Sequence, residues 1–464
     1  MHILFMNGTP LFDMLSHLPS FPFVIDYWGE DTDDDRGILH AIHHRDRVLR
    51  IVSQAPSLHL GRLIVPMDGS FPRLESLSLL STTSLEKLTG LILPRTFLAP
   101  NLRHLSLRGV SLPKGLPLLA STFLLVTLSL TDIQSPGYFT PATFVTRLQH
   151  LPQLEELSIS FFTPLPRPSA EGELLQGPIA LTTLPALRLL VFRGVSAYLE
   201  NLITRINSPL LERFNITLFN QLTFTLPHLS HFTRTTESLR HPAAKVVFNR
   251  GGVSFVVGSR SEPLGGTFNL RVSCKQFDWQ IDSATQVCSE LVQVLSAVEE
   301  LTLDFEEENL PSDWQNAADV MMWHGLLWPF SGVKKLRIGY PFASELSNAL
   351  ESHDAGLILG LLPELEELEA QVELGHVKKA FETFIEARQL AGRHVHLSVS
   401  SVATVAAPAE DELPVPSQST PDEDEPPVLL PAPVQKSWFQ RTVVGPVWRR
   451  LRSRPRLGVD PSTS

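Results

Sequence analysis

The chain has 464 residues, 43% of them apolar, which is ample material for a core and excludes a wholly disordered protein. A net charge of −11 and an isoelectric point near 5.8 argue against a dedicated nucleic-acid binder. Two cysteines, Cys274 and Cys288, match no zinc spacing and cannot build a disulfide framework, so a reducing compartment, cytoplasmic or nuclear, is expected.

Taken in chain order, Met1 to Met6 is a short apolar run without Lys or Arg, and it makes no convincing secretory signal. The triplet Asp31-x-Asp33-x-Asp35 starts like a calcium loop, yet Arg36 and Ile42 occupy the positions that need Gly and Glu. An acidic turn ahead of a helix at Arg36–His44 is the better account, because the carboxylates favour that helix's N-terminus. His44-Arg45-Asp46 has none of the companions of a kinase catalytic loop. The uncharged stretch Gly115 to Thr131 contains Pro117 and falls short of the roughly 20 apolar residues a membrane span needs, so no membrane partner is expected.

One phrase then dominates: apolar, two polar residues, apolar, polar, apolar. It reads Leu74-x-x-Leu77-x-Leu79, Leu102-x-x-Leu105-x-Leu107, Leu125-x-x-Leu128-x-Leu130 and Leu154-x-x-Leu157-x-Ile159. It continues as Leu187-x-x-Leu190-x-Phe192, Leu211-x-x-Phe214-x-Ile216, Val298-x-x-Leu301-x-Leu303, Val333-x-x-Leu336-x-Ile338 and Leu365-x-x-Leu368, with a degraded copy at Val48-x-x-Ile51. From 48 to 211 the copies recur every 27 residues or so, inside the roughly 20–29-residue period of leucine-rich repeats. Proline often stands just before the phrase, as in Pro72-Arg73-Leu74 and Pro363-Glu364-Leu365, where its missing N–H costs no ladder bond.

A single unit of this kind cannot bury its apolar face, but stacked units can. The fold expected is α/β: a leucine-rich-repeat solenoid with a curved parallel sheet on the concave side and irregular helices and loops outside. Apolar pieces such as Leu58–Ile64, Phe144–Leu148 and Tyr198–Ile203 supply the outer layer. The reading divides the chain into an N-terminal segment (1–47), irregular repeats (48–240), a β-rich irregular segment and helix (241–297), C-terminal repeats and cap (298–405), and a tail (406–464). The segment 241–297 breaks the rhythm with alternation in Val253–Val257 and Phe268–Val272, glycine pairs, and a helical stripe of Val287, Leu291, Val294 and Leu295. The tail is Pro-rich and acidic, then Arg-rich from Arg449 to Arg456, and is expected to be disordered.

Strand alternation puts the residues flanking the second repeat apolar on the concave face. The candidate binding residues are Ser76, Ser78, His104, Ser106, Thr127, Ser129, Glu156, Ser158, Arg213 and Asn215, then Glu300, Thr302, Lys335, Arg337, Glu367 and Glu369. The first group is small and mostly uncharged. The second runs acidic, basic, acidic, which suits a partner of complementary pattern. Trp323 and Trp328 with His324 suit a pocket less well than a helix–sheet core. His394 and His396 share a strand face with no third metal ligand in view. With no nucleophile elbow, phosphate loop or dinucleotide fingerprint, neither an enzyme nor a cofactor is expected.

Three stretches carry a family likeness: Phe277-Asp278-Trp279-Gln280 with Cys288, Trp323-His324-Gly325-Leu326-Leu327-Trp328-Pro329-Phe330, and Phe384-Ile385-Glu386-Ala387-Arg388-Gln389. Together with the repeats and the opening Leu11 to Asp26, they resemble the F-box/leucine-rich-repeat families of basidiomycete fungi. The resemblance covers about residues 11 to 400. It implies a substrate-recognition subunit of a cullin ubiquitin ligase, in which an F-box docks on a Skp-type adaptor and the repeats hold the target. No F-box-like helical segment precedes Leu11, so a truncated gene model and a real loss of that module both stay open. A Skp-type adaptor is implied only if an F-box lies upstream. The alternative is an F-box-less structural or vestigial repeat protein. Either way the expected partner is a protein, with no nucleic acid, and the expected state is a monomer.

Overall fold

Each copy of the repeat phrase becomes a strand because its last two apolar residues fall on one face of an extended chain. In a computed structural model, residues 2–6, 21–28, 36–83, 90–162, 181–258, 266–306, 320–339, 342–350, 359–372 and 378–401 are described. The expected acidic turn at Asp31–Asp35 and the tail 406–464 lie outside them. The first nine sheet strands are β1 (Ile3–Phe5), β2 (Phe23–Trp28), β3 (Val48–Ala55), β4 (Ser76–Ser81), β5 (His104–Arg108), β6 (Thr127–Ile133), β7 (Glu156–Phe161), β8 (Leu189–Gly194) and β9 (Arg213–Phe219). The rest are β10 (Ala243–Asn249), β11 (Gly252–Gly258), β12 (Thr267–Ser273), β13 (Glu300–Phe305), β14 (Lys335–Ile338), β15 (Glu367–Val372) and β16 (His396–Ser401).

All sixteen belong to one sheet, in the order β1 to β9, then β12, β11, β10, then β13 to β16. Inward residues of neighbouring repeats lie in register: Leu77 with Leu105, Leu105 with Leu128, Leu128 with Leu157. Every one of these is fully buried. A second regularity holds the repeats together just before each strand. One backbone carbonyl accepts two successive N–H groups from the next repeat: Glu75 O takes Arg103 N and His104 N at 2.8 and 3.0 Å, and Arg103, Val126, Glu155 and Arg188 do the same in turn. This doubly used carbonyl row satisfies the backbone where the strands begin.

Helices pack against the buried face: α1 (Arg36–His43), α2 (Ser57–Ile64), α3 (Pro141–Leu148), α4 (Ser196–Ile203) and α5 (Pro227–Thr235), then α6 (Phe277–Glu290), α7 (Val320–Leu327), α8 (Ala343–Leu350) and α9 (Lys378–Leu390). The apolar pieces expected in the outer layer are α2, α3 and α4. Strands repeat every ~4.8 Å while a helix with its side chains is ~10 Å across, so the sheet takes the inner side of the curve. The architecture is a leucine-rich-repeat solenoid.

Two stretches set apart in the sequence reading join this sheet. The N-terminal segment contributes β1 and β2, whose Phe5, Ile25 and Tyr27 continue the buried rows at 2% exposure or less. The segment after residue 241 contributes β10, β11 and β12, an up-down-up meander in which β11 runs antiparallel to both neighbours. Among the described strands of this sheet, β11, inside the segment expected to break the rhythm, is the one that runs against its neighbours. After β9 the chain skips two strand positions, lays down β10, and returns so that β12 pairs with β9 and β10 pairs with β13. The carbonyl row survives, with Pro242 O accepting Glu299 N and Glu300 N.

Residues 277–280 and 323–330 build the layer behind this meander. Gln280, fully buried on α6, donates through Nε2 to Asn249 O and Cys274 O, both at 2.9 Å, and so ties the end of β10 to the exit of β12. Phe277 stacks on Phe342, with centroids 5.8 Å apart, and both meet Phe248 and Trp323 edge-on. Trp323 is thus core, as is His324, whose imidazole hydrogen-bonds Ala349 O at 2.8 Å, while Trp328 is 61% exposed. Arg388, buried on α9, donates to Leu361 O and Pro363 O at 3.1 and 3.0 Å and fixes the last turn before β15.

The candidate binding face

With helices on one side, the other face of the sheet is left to solvent, and the cross-strand register sorts its side chains into rows. One row runs Ser76, His104, Thr127, Glu156, Leu189, Arg213 and Thr267. The next runs Val52, Ser78, Ser106, Ser129, Ser158, Val191, Asn215 and Asn269. All sixteen candidate residues sit on this face, none of them buried. Four serines in direct register, Ser78, Ser106, Ser129 and Ser158, leave the backbone of β4 to β7 open to close approach. At the β1 end the face turns apolar, with Leu4 and Trp28 about half exposed and the Trp28 indole N–H donating to Asp26 at 2.6 Å.

The C-terminal candidates are brought together differently. Lys335 Nζ lies 2.7 Å from Glu367 and 3.8 Å from Glu369, and Arg337 Nε lies 2.8 Å from Glu369. The Glu367 carboxylate raises the Lys335 pKa and is itself held below its ordinary value by the Lys335 ammonium. The acidic and basic strands therefore satisfy one another across the ladder. Lys245 and Asp304 form a further such pair at 2.6 Å, and Arg108 pairs with Asp132 at 2.8 Å.

Sequence reasoning passed over part of this face. Leu189 and Val191 flank Leu190 by the same rule that selected the others, and a third row carries Arg193, Thr217, Arg271 and Ser254. The alternation in Phe268–Val272 carried the signal for Arg271 and Asn269, since Phe268 pairs with Phe214 and Leu270 with Ile216.

Among the described residues no group of three His, Cys, Asp or Glu is placed to hold a metal ion. Among those same residues, no helix is long and apolar enough to cross a membrane. No family model matches the chain, and no curated protein matches it. Among solved structures it is similar to a crystal structure of a TLR13–ssRNA13 complex, at 12% identity and a TM-score of 0.34, over 86% of this chain and 49% of the other. The chain spans about half the length of that protein. At so low a score the solenoid assignment rests on the strand ladder alone.

Proposed function

We propose that the protein is a non-enzymatic interaction scaffold that binds a partner protein through the concave face of its repeats. The observation that carries this reading is the open serine row from β4 to β7, a strip of small side chains beside exposed His104 and half-exposed Glu156. Extended concave sheets of this kind are the working surfaces of repeat proteins. By resemblance, the finer reading is an F-box-type substrate receptor of a cullin ubiquitin ligase, supported by the diagnostic stretches around Phe277, Trp323 and Phe384.

The scaffold reading is tested by placing a photo-reactive residue at Ser106, on the concave face, or at Leu58, exposed on the outer helix α2. A discrete adduct from position 106 and none from 58 supports it; equal labelling from both overturns it. The ligase reading is tested by mixing the protein with purified Skp-type adaptor and asking for co-elution. Failure to co-elute, together with no in-frame F-box upstream of Met1 in the gene, leaves the F-box-less repeat protein.

A further inference from the structure

Cross-strand ion pairing is widespread on this face, and three of its arginines, Arg193, Arg213 and Arg271, take no part in it among the described residues. Arg193 on β8 and Arg271 on β12 lie in register on either side of Thr217 on β9, two strand spacings or about 10 Å apart along the sheet. Neither forms an ion pair with a described residue, whereas Arg108, Lys245, Lys335 and Arg337 all do. Both are nevertheless held in place. The Arg193 guanidinium carbon sits 5.6 Å from the Phe219 ring centroid, and Arg271 Nη2 donates to Asn249 Oδ1 at 3.0 Å. Glu306 accepts from the same amide, at 2.8 Å from Asn249 Nδ2, and acts on the Arg271 charge without forming an ion pair with it.

The floor between the two is polar, formed by Asn215 and Thr217 of β9 with Asn269 beside them in register with Asn215. Two buried polar atoms here lack any hydrogen-bond partner, Arg193 Nε and Asn269 Oδ1. Unsatisfied buried donors and acceptors are costly unless something completes them. Guanidinium groups match carboxylates in fork geometry, and two on alternate strands can close on one carboxylate from both sides.

We propose that Arg193 and Arg271, over the Asn215–Thr217–Asn269 floor, bind a carboxylate on an acidic peptide segment of the partner protein. This deepens the concave-face reading and rests on it. A nucleic-acid backbone fits less well. It needs a track of many cations, whereas this face also carries carboxylates such as Glu156 and Asp304, on a chain of net charge −11.

The experiment uses full-length protein and three labelled probes followed by fluorescence anisotropy: a Glu/Gly peptide, its Gln/Gly counterpart, and a single-stranded oligonucleotide of the same length. The Glu/Gly peptide should bind about tenfold tighter than the Gln/Gly one, and the double variant Arg193→Gln with Arg271→Gln should lose that preference while melting as the parent does. Arg193→Lys with Arg271→Lys, which keeps the charge and removes the fork, should retain only part of it. Equal binding of the two peptides, an unchanged double variant, or tighter binding of the oligonucleotide overturns the proposal. If the Gln variant fails to fold, the Lys variant decides alone: full retention of the preference overturns the fork. Adducts from a photo-reactive residue at Ser106 separate the two readings. If they persist unchanged in the double variant, the arginine site falls and the concave-face reading stands. If they are lost with the peptide preference, both stand.

Discussion

Leu105 has no exposed surface and stands between Leu77 and Leu128 in the ladder. Leu105→Asp would bury an unpaired carboxylate among leucines, and the expected loss is more than about 4 kcal/mol, read as collapse of the urea midpoint. A soluble variant that melts cooperatively at the parental midpoint would count against the stacked-repeat core. Glu200 shows a role of another kind. Its carboxylate, on α4, accepts the N–H groups of His228 and Leu229 at 2.8 and 2.9 Å and so caps α5 from the neighbouring repeat. Truncation to Ala should cost about 1–2 kcal/mol by leaving those donors unmet. Burial pushes the Glu200 pKa above its ordinary value, outweighing the two N–H donors. The stability this raised pKa contributes is therefore complete below the unfolded-state value of about 4.3 and is lost as pH rises through the folded-state one. The non-titrating Glu200→Gln variant should lack that decline, and melting curves of both proteins across mildly acidic pH check it. Leu105 was legible because its period names its face. The Glu200 cap was not, because its partners lie some 28 residues on and no local spacing points to them.

At the scale of elements, strand alternation predicts which way a residue faces but not which strand stands beside it. The order Glu300, Lys335, Glu367 reads in one dimension as charge offered to a partner. Register turns it into a cross-strand ladder in which β14 is neutralised by β15. Reversing both cations, Lys335→Glu with Arg337→Glu, would set four carboxylates opposite one another on β14 and β15, with Glu300 on β13 beside them. The expected result is a lower melting midpoint, more so at low salt than at high salt, before any partner is added. A midpoint that is unchanged at low salt would mean that the ladder contributes nothing to the fold. The same limit hid the β10–β12 meander. Its alternation was plain in Val253–Val257 and Phe268–Val272, yet periodicity alone could not reveal that β12, and not β10, lies against β9.

Across the whole molecule, the solenoid, its buried face and all sixteen candidate positions were legible, because one repeated phrase carries them. The start of the sheet was not, since Phe23-x-Ile25-x-Tyr27 performs the leucine role without a leucine. The meander has a further consequence, for the order in which the chain assembles. In most of a repeat array each new unit docks on the one just completed, so folding can follow synthesis from the N-terminus. Here β9 must wait for β12, made some 54 residues later, and β10 must wait for β13. The two arms of the solenoid are thereby knotted into one cooperative event at their junction. Gly252 sits at a tight point of that junction, with φ +149° and an added Cβ directed into the Val272 carbonyl. Gly252→Ala should cost several kcal/mol and, in native-state hydrogen exchange, lower protection of β9 and β13 together while β4 to β6 keep theirs. Loss confined to β10–β12 would mean that the junction forms after both arms are complete, and so takes no part in joining their folding.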